Sequence, residues 1–333
     1  MLAFIWEPIR IILSFLESIV VFFGFLIQGG GQIVAPGDYL TQLNCTKIFA
    51  NRAQDAVPQT AMYDVVMDFF KEGGHEAGKT PKCLVIGYDG ARADLLINTK
   101  DDPTAGTQIL KADGGAIYNM YTGGDWYKFN LQSTVTACGW TTLLTGHWAK
   151  EKGDTGHRVT GNGVPKPADA PKLIFTDLLE ADLAQKTNFI VSWLGHFADS
   201  DAAYIYDIKY WNDNHLAAAY ATEPDDEGTF AATLAAVNEA ACADMIMCIL
   251  EYCDHAGHAK VFGNTEPTYV AAFKEAEEKA ADLIAAVKAR PTYSSEDWLI
   301  IITPDHGGTF SGHGAQYLGE RQTFFAVNKK VWE

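Results

Sequence analysis

The chain has 333 residues, which is enough for one large α/β domain or two small ones. Its hydrophobic content of 48% and charged content of 20% are those of an ordinary globular protein. The formal net charge of −17 argues against a nucleic-acid polymer as partner, because the phosphate backbone would be repelled. The six cysteines contain no CxxC pair, so buried free thiols are expected rather than a disulfide framework.

Residues 1–30 are predicted to form an N-terminal hydrophobic helix. Residues 11–27 are apolar except for two serines, one glutamate and one glycine, and this length is near the lower limit for a membrane span. Arg10 precedes the run and gives a weak positive-inside signal. Two interpretations stay open. The helix associates with a membrane through residues 9–27 and leaves the rest of the chain outside the cytoplasm, or it packs on the protein's own surface and the protein is cytoplasmic.

Residues 31–80 are predicted to be a linker with a leading helix. Glycine and proline mark the linker at residues 29–37, and the apolar pattern of Tyr63–Phe70 predicts the helix. The remaining residues, 81–333, are predicted to form a single domain.

Apolar strands alternate with helices along this domain. The predicted strands lie at 82–88, 188–194, 245–252, 298–303 and 323–327, and the predicted helices at 172–180, 229–243 and 266–290. Such alternation predicts an α/β fold with a mostly parallel central sheet and helices on both faces. Residues 197–228 interrupt the pattern, and two interpretations stay open for them, an inserted pocket wall or a surface excursion.

Carboxylates and imidazoles follow three of these strands, the ones that end near residues 88, 252 and 303. The candidate metal ligands are Asp89, Asp254, His258, Asp305, His306 and His313. They are expected to converge, because the carboxyl ends of parallel strands meet at one edge of the sheet. Three carboxylates and three imidazoles suit two Zn²⁺ ions better than one, and other divalent metals also fit. Two such ions would give the site a charge of about +1, so an acidic protein could still bind an anionic ester.

A candidate nucleophile lies in the Ser/Thr-rich stretch that runs from residue 133 to Gly146. Thr136 would stand at the start of a short helix, where backbone N–H groups bind anions. A metal at its oxygen would lower the pKa of the hydroxyl. Helix capping is the alternative interpretation of such a cluster. On chemistry alone, the rival nucleophiles are Ser133, Thr134 and Cys138.

Taken together, these motifs resemble the alkaline phosphatase superfamily, most closely its nucleotide pyrophosphatase/phosphodiesterase branch. The resemblance extends from about residue 82 to 327, with ligands and nucleophile in the family's order. It rests on Asp89-Gly-Ala-Arg92, on Thr136 nine residues before Thr145-Gly146, on Asp254-x-x-Gly-His258, on Asp305-His306-Gly and on His313 within Gly-His-Gly.

The resemblance implies an alkaline phosphatase-like fold and a role for each motif residue. One zinc ion would be held by Asp254, His258 and His313. The other would be held by Asp89, Asp305 and His306, together with the oxygen of Thr136. Thr136 would attack phosphorus in line and form a phosphoryl-threonine, which water then hydrolyses.

Two more residues are expected at the substrate. Asn162 lies in a stretch that resembles the one carrying the family's phosphate-binding asparagine, although a Gly-Asn-Gly turn explains it equally well. Arg92 is the one cation close to the matched motifs, and its direction cannot be read from the sequence.

The sequence also departs from the family in two places. Cys138-Gly139 stands where the family usually has Pro-Asn. Only seven positions separate His306 from His313, where the diesterases carry a long insertion. The specificity elements of that insertion are missing, so the family's substrates do not carry over.

The sequence therefore predicts a two-zinc phosphoester hydrolase for a small-molecule substrate, of the phosphodiesterase or nucleotide pyrophosphatase type. A diester monoanion is preferred because a monoester dianion needs more cationic groups, and Tyr206, Tyr210 or Trp211 would be available to stack on the second substituent. The alternatives are a phosphomonoesterase, a phosphotransferase to an alcohol or lipid head group, and a metal-binding protein without turnover.

Overall fold

The computed structural model describes residues 56–124, 131–148 and 162–332. The predicted N-terminal helix at 1–30, its membrane association and the linker up to residue 55 lie outside the described residues. Within those that are described, no helix combines the length and apolar character that a membrane crossing requires.

The described chain is built on one sheet of eight strands in the spatial order β1-β3-β8-β7-β2-β6-β4-β5. The strands are β1 (Ala56–Pro58), β2 (Thr80–Tyr88), β3 (Ala116–Tyr121), β4 (Thr187–Val191), β5 (Ala218–Thr222), β6 (Met245–Leu250), β7 (Glu296–Thr303) and β8 (Gln322–Val327). Five of the seven pairings are parallel, and β8 runs antiparallel to both of its neighbours. The prediction of a mostly parallel sheet is thus confirmed.

Helices cover both faces of this sheet, as predicted. They are α1 (Ala61–Phe70), α2 (Gly106–Ala112), α3 (Thr136–Thr145), α4 (Ile174–Glu180), α5 (Ile205–Asp213), α6 (Asp226–Asn238), α7 (Tyr252–Ala259), α8 (Pro267–Lys288) and α9 (Leu318–Arg321). Short 3₁₀ segments occupy Ala93–Asn98 and Tyr293–Ser295.

The two faces carry separate apolar cores because side chains alternate along each strand. In β2, Cys83 and Val85 belong to one core and Leu84 and Ile86 to the other. The first core is closed by side chains of α1, α3, α4 and α5, and the second by side chains of α2, α6, α7 and α8. This burial on both faces explains why the central strands are continuous apolar runs in the sequence.

The segment 197–228 is neither an inserted pocket wall nor a surface excursion. It contains α5 and the edge strand β5, which pairs in parallel with β4, so the alternation of strands and helices continues through it. Trp211 lies in the first core and its indole N–H donates to Thr176 Oγ1 at 2.7 Å. That position removes Trp211 as a stacking residue for a substrate.

One predicted boundary shifts in a way that matters for the site. The strand predicted at 245–252 ends at Leu250, and α7 begins at Tyr252. Asp254 and His258 therefore lie one turn apart on a helix. The five cysteines in the described part of the chain are buried and are not joined by disulfides, as predicted.

Candidate metal centre and nucleophile

Three adjacent central strands, β7, β2 and β6, deliver their carboxylates to the same edge of the sheet. Asp89 directly follows β2, Asp254 lies in the first turn of α7 after β6, and Asp305 follows β7 by two residues. Gly90 makes this convergence possible. Its φ of +69° suits glycine, and a Cβ there would lie 2.8 Å from the Cα of Asp254. Its N–H donates to Asp305 Oδ1 at 3.2 Å.

A deep group consists of Asp89, Asp305 and His306. Each offers one ligand atom, and these three atoms lie within 4.8 Å of one another. His306 Nε2 is 3.6 Å from Asp89 Oδ1 and 3.3 Å from Asp305 Oδ2. All three side chains are 0% exposed. Trp140, which fits because Gly87 has no side chain, donates its indole N–H to Asp89 Oδ2 at 2.8 Å.

A second, outer group consists of Asp254, His258 and His313. His258 Nε2 lies 3.0 Å from His313 Nε2 and 3.4 Å from Asp254 Oδ2. His313 Nε2 lies 3.5 Å from Asp254 Oδ1. The side chain of His258 is 46% exposed, so solvent reaches the centre from this group.

The three histidines share one hydrogen-bonding pattern. Each Nδ1 contacts a backbone carbonyl, that of Gly307 for His306, of Ser311 for His258 and of Thr134 for His313, at 2.8 to 2.9 Å. Nδ1 is therefore the protonated nitrogen, and the Nε2 lone pair is left for the centre of the site. Burial lowers the pKa of His313 to about 4 and that of His306 well below its usual value, so both rings are neutral.

The carboxylates of the deep and outer groups are suited to bind cations. Oδ1 of Asp89, Oδ1 of Asp254 and Oδ2 of Asp305 are buried and have no hydrogen-bond partner. Burial and then repulsion from a neighbouring carboxylate raise the pKa of Asp89 and Asp305 well above their usual values. Unpartnered acid oxygens facing neutral imidazole nitrogens form the mixed O and N donor set that suits zinc. The residues present fit the predicted metals.

Thr136, the nucleophile predicted from the Ser/Thr-rich stretch, lies beside this centre. It is the first residue of α3, and its Oγ1 lies 3.4 Å from His306 Nε2. Gly139, one turn on, lets the helix approach closely, because a Cβ there would lie 2.7 Å from the carbonyl oxygen of Asp305. The glycine that departs from the family's Pro-Asn therefore has a packing reason.

The rival nucleophiles have other partners. The Ser133 hydroxyl donates to the Gly314 carbonyl at 2.8 Å, and the Thr134 hydroxyl donates to Glu320 at 2.8 Å. Cys138 is buried on α3. The side-chain oxygen of Thr136 contacts a candidate ligand, His306, so the geometry favours Thr136 as the nucleophile.

The two residues expected at the substrate differ in where they lie. Asn162 is brought to the nucleophile, since its Oδ1 accepts from the N–H of Ala137 at 3.0 Å. Arg92 is 1% exposed, and its guanidinium donates to both oxygens of Asp94 and to the Phe262 carbonyl. These contacts give Arg92 a structural role and do not favour substrate binding.

Sequence reasoning missed Glu251, the residue between β6 and α7. It is buried, its Oε1 has no partner, and it lies with Asp89 and Asp254 in a group whose ligand atoms are within 4.8 Å. Burial, followed by repulsion from Asp89, raises its pKa well above the usual value. The signal was an acidic residue one turn before Asp254, and the predicted extension of the strand to 252 concealed it.

Comparison with known proteins identifies the family. Residues 83–320 match the model of the type I phosphodiesterase / nucleotide pyrophosphatase family. This match covers well over half of the chain, so the chain belongs to that family, and the resemblance predicted from the motifs is confirmed. Family membership supports a phosphoester hydrolase or transferase.

Several solved structures are similar at low identity. Murine ectonucleotide pyrophosphatase/phosphodiesterase 5 has 18% identity and a TM-score of 0.46, over 68% of this chain and 57% of its own. Alkaline phosphatase from the Antarctic bacterium TAB5 has 16% identity and a TM-score of 0.46, over 74% and 91%. The periplasmic domain of a phosphoethanolamine transferase from Campylobacter jejuni has 14% identity and a TM-score of 0.43, over 75% and 80%.

This chain thus spans little more than half of the murine enzyme's length. A comparison with curated proteins finds no significant match.

Proposed function

We propose that this protein is a two-zinc phosphoester hydrolase of the phosphodiesterase type that acts through a phosphoryl-threonine on Thr136. One observation carries the proposal. Six candidate ligands from separate parts of the chain form two adjoining groups, Thr136 Oγ1 contacts one of them, His306, and three of their buried carboxylate oxygens lack a hydrogen-bond partner. A fold alone would not leave such oxygens unpaired, because each costs free energy when it is buried.

The two groups would each hold one metal ion. Asp254, His258 and His313 are the ligands in the outer group, and Asp89, Asp305 and His306 are the ligands in the deep group, beside Thr136. When bound, the ions supply positive charge that favours the threonine alkoxide and offsets the charge of the phosphate.

The chain's own residues then carry the reaction. The Thr136 hydroxyl gives its proton to solvent water, and its oxygen forms a bond to phosphorus while the bond from phosphorus to the leaving oxygen breaks. The leaving group departs with that electron pair and takes up a proton from water. Water hydrolyses the phosphoryl-threonine and restores the hydroxyl. The amino end of α3 and the NH₂ group of Asn162, whose Oδ1 accepts from the Ala137 N–H, are suited to hold the phosphate oxygens.

The same contacts support a preference for diesters. Arg92 is engaged by Asp94 and Phe262, and Asn162 is neutral. Among the residues that the structure describes, the matched motifs therefore offer no further cationic side chain for the extra charge of a monoester. We expect kcat/KM to be higher for a nitrophenyl diester than for the matching monoester. A ratio well below one would contradict this preference and favour a phosphomonoesterase.

The test of the function is a substrate panel. Purified protein loaded with zinc is assayed on nitrophenyl monoester, diester and sulfate substrates, with an added alcohol acceptor in parallel. Hydrolysis of phosphoesters that a chelator abolishes supports the proposal. Transfer to the alcohol in preference to water would favour the phosphotransferase, and bound metal without any turnover would favour a metal-binding protein.

The membrane association through residues 9–27 and the extracytoplasmic location stay proposals. Every candidate site residue lies beyond residue 80, so removal of residues 1–30 is expected to release a soluble protein that is still active. Loss of folding on this truncation would favour a helix packed on the protein's own surface.

A further inference from the structure

The segment that carries the candidate nucleophile is bonded to the loop that carries the last candidate ligand. Thr134, two residues before Thr136, accepts a hydrogen bond at Oγ1 from the Gly314 N–H at 2.9 Å. The same hydroxyl donates to Glu320 Oε2 at 2.8 Å. The Thr134 carbonyl accepts from His313 Nδ1 at 2.9 Å. One threonine thus connects the nucleophile to both ends of the loop from His313 to Glu320.

Glu320 suits this position because its two carboxylate oxygens are hydrogen-bond acceptors. It is 2% exposed, and besides the Thr134 hydroxyl its carboxyl group accepts from the backbone N–H groups of Ala315 and Tyr317. Three donors meet a group whose ionised form only accepts. A glutamine would have to turn its NH₂ group towards at least one of these donors. The Ala315 carbonyl lies 2.9 Å from the Thr134 hydroxyl as a second acceptor, which leaves the link to this loop intact.

We propose that Glu320 is a positioning residue for the site, which acts through the Thr134 hydroxyl to fix His313 and Thr136 relative to each other. The hydrogen bond that a histidine makes at Nδ1 sets its ring orientation, and here that acceptor is the backbone of Thr134 itself. A displaced Thr134 would turn the ring of His313 and shift the start of α3 together. The inference rests on the proposed function, which makes His313 a ligand and Thr136 the nucleophile.

The test uses three threonine variants and one glutamate variant, Glu320→Gln, of the full chain. Thr134→Val keeps the shape and removes the hydroxyl, and Thr134→Ser restores the hydroxyl. Thr233→Val is the matched control, because Thr233 is also buried and its hydroxyl donates to the Thr229 carbonyl at 2.7 Å on α6. Zinc affinity is measured by competition with a chelator, and kcat and KM are measured on the best substrate of the panel.

We expect Thr134→Val to weaken zinc binding and to lower kcat by about tenfold each, with a smaller change in KM. Thr134→Ser should return both values to within about twofold of the original. Glu320→Gln should change both values in the same direction as Thr134→Val but by less, because the Ala315 carbonyl still accepts from the Thr134 hydroxyl. Thr233→Val should lower the melting temperature while zinc affinity and kcat stay unchanged.

If Thr134→Val lowers only the thermal stability, as the control does, the positioning role is overturned. Failure of Thr134→Ser to restore zinc affinity overturns it too, and so does a Glu320→Gln variant whose zinc affinity and kcat are both unchanged. If the unchanged protein binds zinc but turns over no substrate of the panel, the proposed function fails, and the zinc affinities still decide the inference about His313.

Discussion

Among the described residues, buried acids at the amino ends of the three central strands are paired with cationic side chains, whereas those at the carboxyl ends are not. At the amino ends, Asp244 before β6 pairs with Lys82 at 2.7 Å, and Glu296 at the start of β7 pairs with Arg290 at 2.9 Å. At the carboxyl ends of the same strands, Asp89, Asp254 and Asp305 each keep a buried oxygen without a partner. The sheet therefore separates acids that are neutralised within the chain from acids that are not.

This difference distinguishes acids whose charge is paired within the fold from candidate metal ligands whose buried oxygens have no hydrogen-bond partner. The amino-end pairs are complete, since Asp244 Oδ2 also accepts from the N–H groups of Gln185 and Lys186. Burial raises the pKa of Asp89 and Asp305, and repulsion between the carboxyl-end acids raises it further. Charges that are left uncompensated in this way cost stability, and a bound cation removes the cost.

The largest expected effect tests the chemistry of the carboxyl end. Thr136→Ala should lower kcat by more than about 1,000-fold, because covalent catalysis needs that oxygen. The fold and the metal content should not change, since the alanine variant leaves all six ligands in place. Ser133→Ala is the matched control in the same segment. If Ser133→Ala abolishes turnover and Thr136→Ala does not, the assignment of the nucleophile is wrong.

The next prediction compares acids at the amino and carboxyl ends of the strands in metal-free protein. Asp244→Ala leaves the buried Lys82 ammonium without its carboxylate and should cost about 3–5 kcal/mol in the free energy of unfolding. Asp305→Asn removes one of the repelling acids and can still accept from the Gly90 N–H. We expect it to leave the metal-free stability unchanged or higher, and to reduce the stabilisation by zinc.

Urea unfolding of the chelator-treated proteins measures both changes. Equal destabilisation by the two variants would contradict the separation of roles between the two ends of the strands.

The sequence predicted the strands on which this comparison rests. β2, β6 and β7 are buried on both faces and appear as continuous apolar runs, so their ends and the ligands beyond them could be located. The edge strands β1 and β5 were missed because they are short and only partly buried, and β3 because it is mostly half-exposed. Their pattern is too weak to separate from loops.

Within the site, ligand identity could be predicted and geometry could not. The motifs located the six candidate ligands, but the direction of Arg92 depends on Asp94 and on Phe262, which is 170 residues away in the chain. Trp211 was expected to be available to a substrate, although it lies in the core, because an aromatic residue in a polar segment gives no sign of which way it faces. Long-range contacts of this kind have no local signal.

The smallest effect sharpens the comparison with an acid that lies at neither end. Glu277 on α8 is buried, has no cationic partner in the described part of the chain, and accepts from the N–H and the hydroxyl of Thr107. Burial raises its pKa to about 7, above the value of 4.5 expected when unfolded. Its contribution to stability is therefore greatest at low pH and is lost as the pH rises from about 5 to 8, by roughly 3 kcal/mol.

Glu277→Gln keeps a group that can bond to Thr107 and removes this titration. The difference in unfolding free energy between the original and the variant should shift in favour of the glutamine variant across that pH range. The same difference at pH 5 and pH 8 would show that Glu277 does not titrate in the fold near neutral pH.

The central claim is that the unpartnered acids at the carboxyl ends of the strands hold metal ions. Its most direct test is elemental analysis of fully loaded and active protein. The account predicts about two zinc ions per chain, both removed by a chelator together with the activity. An active sample that contains one metal ion or none would contradict the account.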